Sequence, residues 1–186
     1  MRRSAITRFL PDSLLRLVRD KRGISAVEFA MILPLMIALY LGAVEISQGI
    51  AINRKVTLTA RTVTDLVAQV SSINNAAMTN VLNASSAVMT PYSASPLKVT
   101  VSLVSIDAQG NATVAWSDGY NTAGKAAGTA VTLPAALAIA NTSLVWGEAQ
   151  YTYTPAIGYV VTNALTLKDQ LYMRPRLSTS IARTAN

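Results

Sequence analysis

The sequence predicts an α+β protein: a long N-terminal transmembrane helix that continues into an extracytoplasmic domain with a small antiparallel sheet. Three observations predict it. Residues 24–52 form an apolar run whose only charges are Glu28 and Glu45. A block of basic residues stands directly before that run. Well downstream, Leu97 to Ile106 alternates apolar and polar residues for most of its length, the period of a half-buried strand.

The run from Ile24 to Ile52 is longer than a bilayer requires, since about 20 apolar residues cross the hydrocarbon core. A buried core helix of a soluble protein is the competing reading, and the length of the run together with its basic flank weighs against it. The formal charge of +7 is uneven. Residues 1–23 hold Arg2, Arg3, Arg8, Arg16, Arg19, Lys21 and Arg22 against Asp12 and Asp20, so most of the excess sits there. By the positive-inside rule this end stays in the cytoplasm and the C-terminal part crosses. The basicity is not a nucleic-acid face, which would be spread along a folded element with aromatics interleaved. No nucleic-acid partner is expected; the partner of residues 24–52 is the lipid bilayer.

Two residues inside the run need a reason. Pro34 lacks the amide that a helix interior requires and should kink or loosen the helix, which membrane helices tolerate. Glu28 is costlier, because a carboxylate near the centre of a membrane helix carries about 2.5–3.5 kcal/mol. One reading has it reach the interface beside Lys21 and Arg22. The other rests on spacing: a cut after Gly23 makes Ile24 the first residue and Glu28 the fifth. The new α-amine of Ile24 then lies within reach of a Glu28 carboxylate, its own or a neighbour's, and the pair offsets the desolvation of both.

The stretch RDKRGISAVEFAMILPLMIALYLGAVEISQGI resembles prepilin-type leaders. More narrowly, it is similar to the TadE-like pilus-assembly proteins of the tight-adherence (Flp, type IVb) system. The features that carry the resemblance are Arg22-Gly23, Ala26-Val27-Glu28-Phe29-Ala30, Leu33-Pro34-Leu35, and Gly42 shortly before Glu45. Tyr151-Thr152-Tyr153-Thr154-Pro155 and Met173-Arg174-Pro175-Arg176 add to it with less specificity. The resemblance implies a minor pilin, or pseudopilin, whose leader is removed between Gly23 and Ile24 by a prepilin peptidase. Glu28 and Phe29 would set the register of assembly, and Pro34 would loosen the helix. The implied partners are that peptidase, other pilins and minor pilins, and the inner-membrane pilus assembly platform. The implied location is the bacterial inner membrane, single-pass, with the C-terminal domain periplasmic and possible entry into the surface pilus.

The chain then divides into a basic leader (1–23), a transmembrane helix (24–52), a helical extracytoplasmic segment (53–90) and a small β-rich domain (91–186). A conventional secretory signal fits less well. Its apolar core spans roughly 7–15 residues, and the nearest small-x-small site, Gly49-Ile50-Ala51, follows Glu45, Ser47 and Gln48. A permanently anchored envelope protein, structural or binding, remains the functional alternative. It shares the helix but gives no reason for Gly23 and Glu28 at their spacing.

Beyond the membrane, Val56, Val63 and Val70 fall seven apart, and Thr59, Leu66 and Ile73 form a second such series. A stripe of this kind wants a partner surface. The protein's own domain is the preferred one and a coiled coil between subunits the alternative. Asn74-Asn75 ends the pattern, and a second helix is expected over Ala76 to Val88. Asp107 to Asn111 is turn chemistry, with Ala112 to Trp116 returning antiparallel and Ser117 to Gly128 a loop. Leu133 to Ala140 reads as a short helix. Ser143 to Thr154 and Leu165 to Arg174 read as strands. Strands ending in tyrosines, as at Tyr151 and Tyr153, are more often ordinary sheet edges than binding sites. Arg174 and Arg176 either meet acidic groups on a pilus subunit or solvate the end of the domain.

Catalysis is not expected. The chain holds no cysteine and no histidine, which removes thiolate and imidazole chemistry and the usual zinc ligands. Asp65, Asp107, Asp118, Glu148 and Asp169 are scattered, and no phosphate-cradling glycine loop is present. No cofactor is expected.

Overall fold

The computed structural model describes residues 22–155, 158 and 163–185. The leader expected over 1–23 lies outside the described residues except for Arg22 and Gly23, which open the first helix. That helix, α1, runs from Arg22 to Ala68 with Pro34 inside it. The chain forms two compact units that meet between Val44 and Glu45.

In the first unit, α1 is apolar all round. Val27, Met31, Leu35 and Leu39 are exposed along one face, and Phe29, Ile32, Met36 and Tyr40 along others; Met31 is 77% and Tyr40 69% exposed. A helix with no polar stripe belongs in an apolar surrounding rather than on an aqueous surface. Its length and composition are those of a single-pass membrane anchor.

The second unit begins with Glu45, and here the character of α1 changes. Ile52, Val56, Ala60, Val63 and Val67 are buried, at steps of four, four, three and four residues. This one-sided stripe packs on a β-sheet of the same chain, as preferred over a coiled coil. The second series breaks up: Thr59 is buried, Leu66 is exposed, and Ile73 lies beyond the helix. After a two-residue strand β1 (Ser72–Ile73) comes helix α2 (Asn75–Val88). Its N-cap is Asn74, whose side chain accepts from the Ala77 amide at 2.8 Å, one of the orphan donors of a helix start. Met78 and Leu82 join the core under α1.

Strands β2 (Leu97–Ile106), β3 (Ala112–Tyr120), β4 (Ala130–Val131), β5 (Thr142–Tyr153) and β6 (Leu165–Met173) form one antiparallel sheet in the order β4-β3-β2-β5-β6. The turn between β2 and β3 is held by Asp107, which accepts from the Gln109 and Asn111 amides and from the Asn111 side chain. Gly110 supplies the positive φ of 83° that this turn needs,. These bonds to the ionised carboxylate, first those from Asn111, hold Asp107 below the usual range despite its exposure. On the helix-facing side lie Leu97, Val99, Val101 and Leu103 of β2 and Val145, Ala149, Tyr151 and Tyr153 of β5. On β5, between Val145 and Ala149, sits Gly147. A Cβ there would overlap the Thr64 hydroxyl and lie 3.1 Å from the Ala60 carbonyl, so α1 crosses the sheet where the strand has no side chain.

Three expectations are corrected. Tyr151 and Tyr153 are not on an edge: β5 lies between β2 and β6, and both tyrosines are buried against the helix layer. The loop expected from Ser117 begins only after Tyr120, because β3 continues through the Ser117–Ser102 hydroxyl pair at 2.8 Å. Leu133 to Ala140 is not a helix. Pro134 starts a turn, closed by the Leu137 amide on the Pro134 carbonyl at 2.8 Å, but so short a segment cannot recover the cost of helix nucleation. Instead Leu133 and Leu137 pack on Val104, Ile106, Ala112 and Leu144, a second small core on the opposite face of the sheet.

The C-terminal segment ties the unit together. Strand β7 (Ala182–Arg183) pairs in parallel with β1, and Ile181 is buried with its carbonyl accepting from the Trp116 indole at 2.9 Å. Arg183 meets Asp118 through two nitrogens, at 2.9 and 3.1 Å, and Asn75 at 2.7 Å. The hydrogen bonds to Asp118 push its guanidinium further up.

The buried tyrosines give a pH prediction. Burial first, then Tyr92, and for Tyr153 also the nearby Glu45, raises Tyr151 and Tyr153 above 10.0. The Tyr172 phenol rises too, through burial and Glu148. Above pH 10 the unfolded chain loses these protons first, so stability is full below that pH and falls as pH climbs beyond it. Spectrophotometric titration near 295 nm should show part of the tyrosine absorbance appearing late, together with loss of near-UV dichroism. Titration of every tyrosine at the free value with the fold intact would contradict the burial.

Candidate functional site on the N-terminal helix

The candidate site is the exposed start of α1. Gly23, Ile24, Glu28, Phe29 and Pro34 all lie on one continuous helix. Ile24 and Glu28 are one turn apart on the same face, about 6 Å along the axis at 1.5 Å per residue. The backbone nitrogen of Ile24 and the Glu28 side chain therefore lie along the same side of α1,. Phe29 is 57% exposed and points away from that face by one residue's rotation. Pro34 leaves the carbonyl of Ala30 without its helical donor, yet α1 is helical on both sides of it. Among the described residues, no ion pair within 4 Å involves Glu28.

Glu45 behaves differently from Glu28. It is buried at the start of the second unit, and its backbone carbonyl accepts the Tyr153 hydroxyl at 3.3 Å. The tyrosines of the YTYTP segment thus serve packing and the seating of α1. Of the two arginines after β6, Arg176 is used internally. Arg176 pairs with Asp65 of α1, and its amide donates to the Ala68 carbonyl at 2.8 Å, which satisfies one of the helix's orphan acceptors. Arg176 thus holds the end of α1, a role that neither expectation named. Arg174 stays exposed.

Among the described residues no group of three or more histidine, cysteine or acidic side chains could hold a metal ion. Between Ile24 and Val44 the exposed surface of α1 is largely apolar, with Glu28 as its one charge.

Residues 23–65 match the family described as TadE-like protein. Over this stretch the N-terminal helix is similar to that family. The match takes in Gly23, Ile24, Glu28, Phe29 and Pro34, and ends within α1 in the second unit. It covers less than a quarter of the chain, and the sheet lies outside it. Comparison with curated proteins and with solved structures gives no match. The TadE-like stretch is thus the exposed apolar helix plus the part of α1 that seats the domain.

The sequence did not single out the residues on the outer face of the sheet. Lys98, Thr100, Glu148, Gln150, Lys168 and Gln170 occupy alternate positions of β2, β5 and β6, and they line an open groove of about 440 Å³. Their signal was present as the polar half of the same alternation that revealed β2.

Proposed function

We propose that this chain is a minor pilin, or pseudopilin, that takes part in assembling a tight-adherence pilus after its leader is removed between Gly23 and Ile24. The TadE-like match over residues 23–65 supports association with such a pilus system. What supports the finer role is one observation: an acidic residue five positions after Gly23 on a helix otherwise exposed and apolar on every side. In lipid a lone carboxylate is unfavourable, and an α-amine created at Ile24 would offset it.

In this reading residues 24–44 span the inner membrane, enough for a core needing about 20 residues. The positive charge ahead of them keeps the leader cytoplasmic and places the domain in the periplasm. Cleavage frees the helix to leave the bilayer and pack among other pilins, with Glu28 of one subunit beside the amine of Ile24 on another. The domain from Glu45 onward acts as a non-catalytic head that primes, caps or regulates the filament through its contacts with pilins and the assembly platform.

The test is the mature N-terminus, measured by mass spectrometry of membrane-extracted protein from cells with and without the prepilin peptidase. A peptidase-dependent start at Ile24 is expected. An intact segment 1–23 in both strains would overturn the reading and leave a permanently anchored envelope protein. A start near Ile52 would mean a secreted domain.

A further inference from the structure

We infer that the groove on the outer face of the sheet, where Lys98, Gln150 and Lys168 stand side by side on β2, β5 and β6, binds a linear anionic polysaccharide. Register places the three residues in one row: Lys98 pairs with Gln150, and Gln150 with Lys168. Directly paired residues share a face of the sheet, so the two lysines flank the amide, about 10 Å apart at two strand spacings. The next row is Thr100, Glu148 and Gln170, in the same register and on the same face. Among the described residues neither Lys98 nor Lys168 has an acidic partner within 4 Å.

One wall of the groove is preset. Thr122 and Lys125 rise from the segment after β3, which is held by the Lys125 amide on the Ser117 hydroxyl at 2.9 Å. The Lys125 ammonium meets Glu148 at 2.9 Å and lies 4.4 Å from the centre of the Trp146 ring. Its charge is therefore spent within the protein, as is that of Glu148. Asp169 also borders the groove, but it pairs with Ala149 on the helix-facing side, and its carboxylate accepts from the Thr57 hydroxyl of α1. The uncompensated charge on the outer face is that of Lys98 and Lys168, and it selects for an anion.

The remaining lining decides which anion. Amides and hydroxyls at Thr100, Thr122, Gln150 and Gln170 both donate and accept, as the hydroxyls of sugar rings do. An acidic peptide is a poorer fit. Peptides add to sheet edges through backbone bonds or anchor side chains in apolar pockets, and this is a sheet face with a polar lining. Single-stranded nucleic acid requires aromatic faces for stacking. Here Trp146 is covered by Lys125 on one side and stacked on Tyr172 at 5.6 Å. The lysine separation is on the scale of a disaccharide, which lets the two lysines meet acidic sugars two positions apart on one polyuronate chain. The inference goes beyond the assembly role and does not depend on leader cleavage.

The experiment uses the full chain in detergent micelles, titrated calorimetrically with polygalacturonate oligomers, dextran, poly-glutamate and inorganic phosphate. Polygalacturonate should bind, dextran and phosphate should not, and poly-glutamate should bind at least tenfold more weakly. The double substitution Lys98→Gln/Lys168→Gln should weaken polygalacturonate binding at least tenfold. Arg61→Gln/Arg174→Gln, with the same loss of charge elsewhere, should leave it unchanged. Absence of polygalacturonate binding, equal loss in the two double variants, or equal binding of poly-glutamate, dextran or phosphate would each overturn the inference. Both lysines are exposed, and unchanged near-UV dichroism of the double variant checks its fold.

Discussion

Replacing Gly147 with alanine should destabilise the domain by about 2–6 kcal/mol. The new Cβ overlaps the Thr64 hydroxyl and crowds the Ala60 carbonyl. That hydroxyl is buried and donates to the same carbonyl at 2.6 Å. Overpacking a filled core costs about 1–3 kcal/mol, and stranding a buried hydroxyl about 1–3 more. Set against a total stability of roughly 5–15 kcal/mol, the two together threaten the fold. Valine should be worse. Denaturant unfolding of the full chain in micelles, followed by near-UV dichroism, reads the effect. Removing the obstacle should restore part of it: Gly147→Ala with Thr64→Ala should lose less than the two single changes added together, as residues in contact do. A wild-type midpoint for Gly147→Ala would show that the helix does not cross β5 at this point.

Gly147 also shows what was legible in the sequence. Strand β2 was read to its observed ends because Lys98, Thr100 and Ser102 alternate with Leu97, Val99, Val101 and Leu103. The stripe of α1 was legible for the same reason, since Val56 and Val63 repeat with the helix period. What periodicity cannot convey is which surfaces meet. An isolated glycine within a strand signals close approach of another backbone, but nothing local says that the visitor is a helix some eighty residues earlier. The same holds for Asp65 with Arg176, and for Asp118 with Arg183, pairs made by long-range folding. The misread stretch, Leu133 to Ala140, has helix-forming alanines. Its two leucines are taken by a nearby patch of sheet before a helix can propagate. At the N-terminal site the reverse is true. Gly23, Ile24, Glu28 and Pro34 were singled out by spacing alone, and α1 carries all four on one continuous helix.

Replacing Glu28 with glutamine or alanine should abolish or severely reduce piliation while leaving the protein in the membrane. The two readings of this residue separate here. If the carboxylate merely reaches the interface, glutamine is harmless and insertion is little changed, because a group at the interface does not carry the mid-membrane cost. If it pairs with the amine of Ile24 on a neighbouring helix, its loss leaves a desolvated cation. Breaking such a pair costs roughly 3–5 kcal/mol. With every 1.4 kcal/mol a factor of ten in an equilibrium, that corresponds to at least a hundredfold weaker docking. Aspartate keeps the charge but shortens the reach, so it should fall between glutamine and the wild type. Sheared pili quantified by immunoblot read assembly, and carbonate-resistant protein with its N-terminus determined reads insertion and processing. Wild-type piliation in Glu28→Gln would remove the pairing. Lost piliation with unprocessed protein would place Glu28 in recognition by the peptidase rather than in the filament. Only loss of pili from a correctly cut, correctly inserted protein assigns the carboxylate to docking, because at that stage the helix differs from the wild type by one charge.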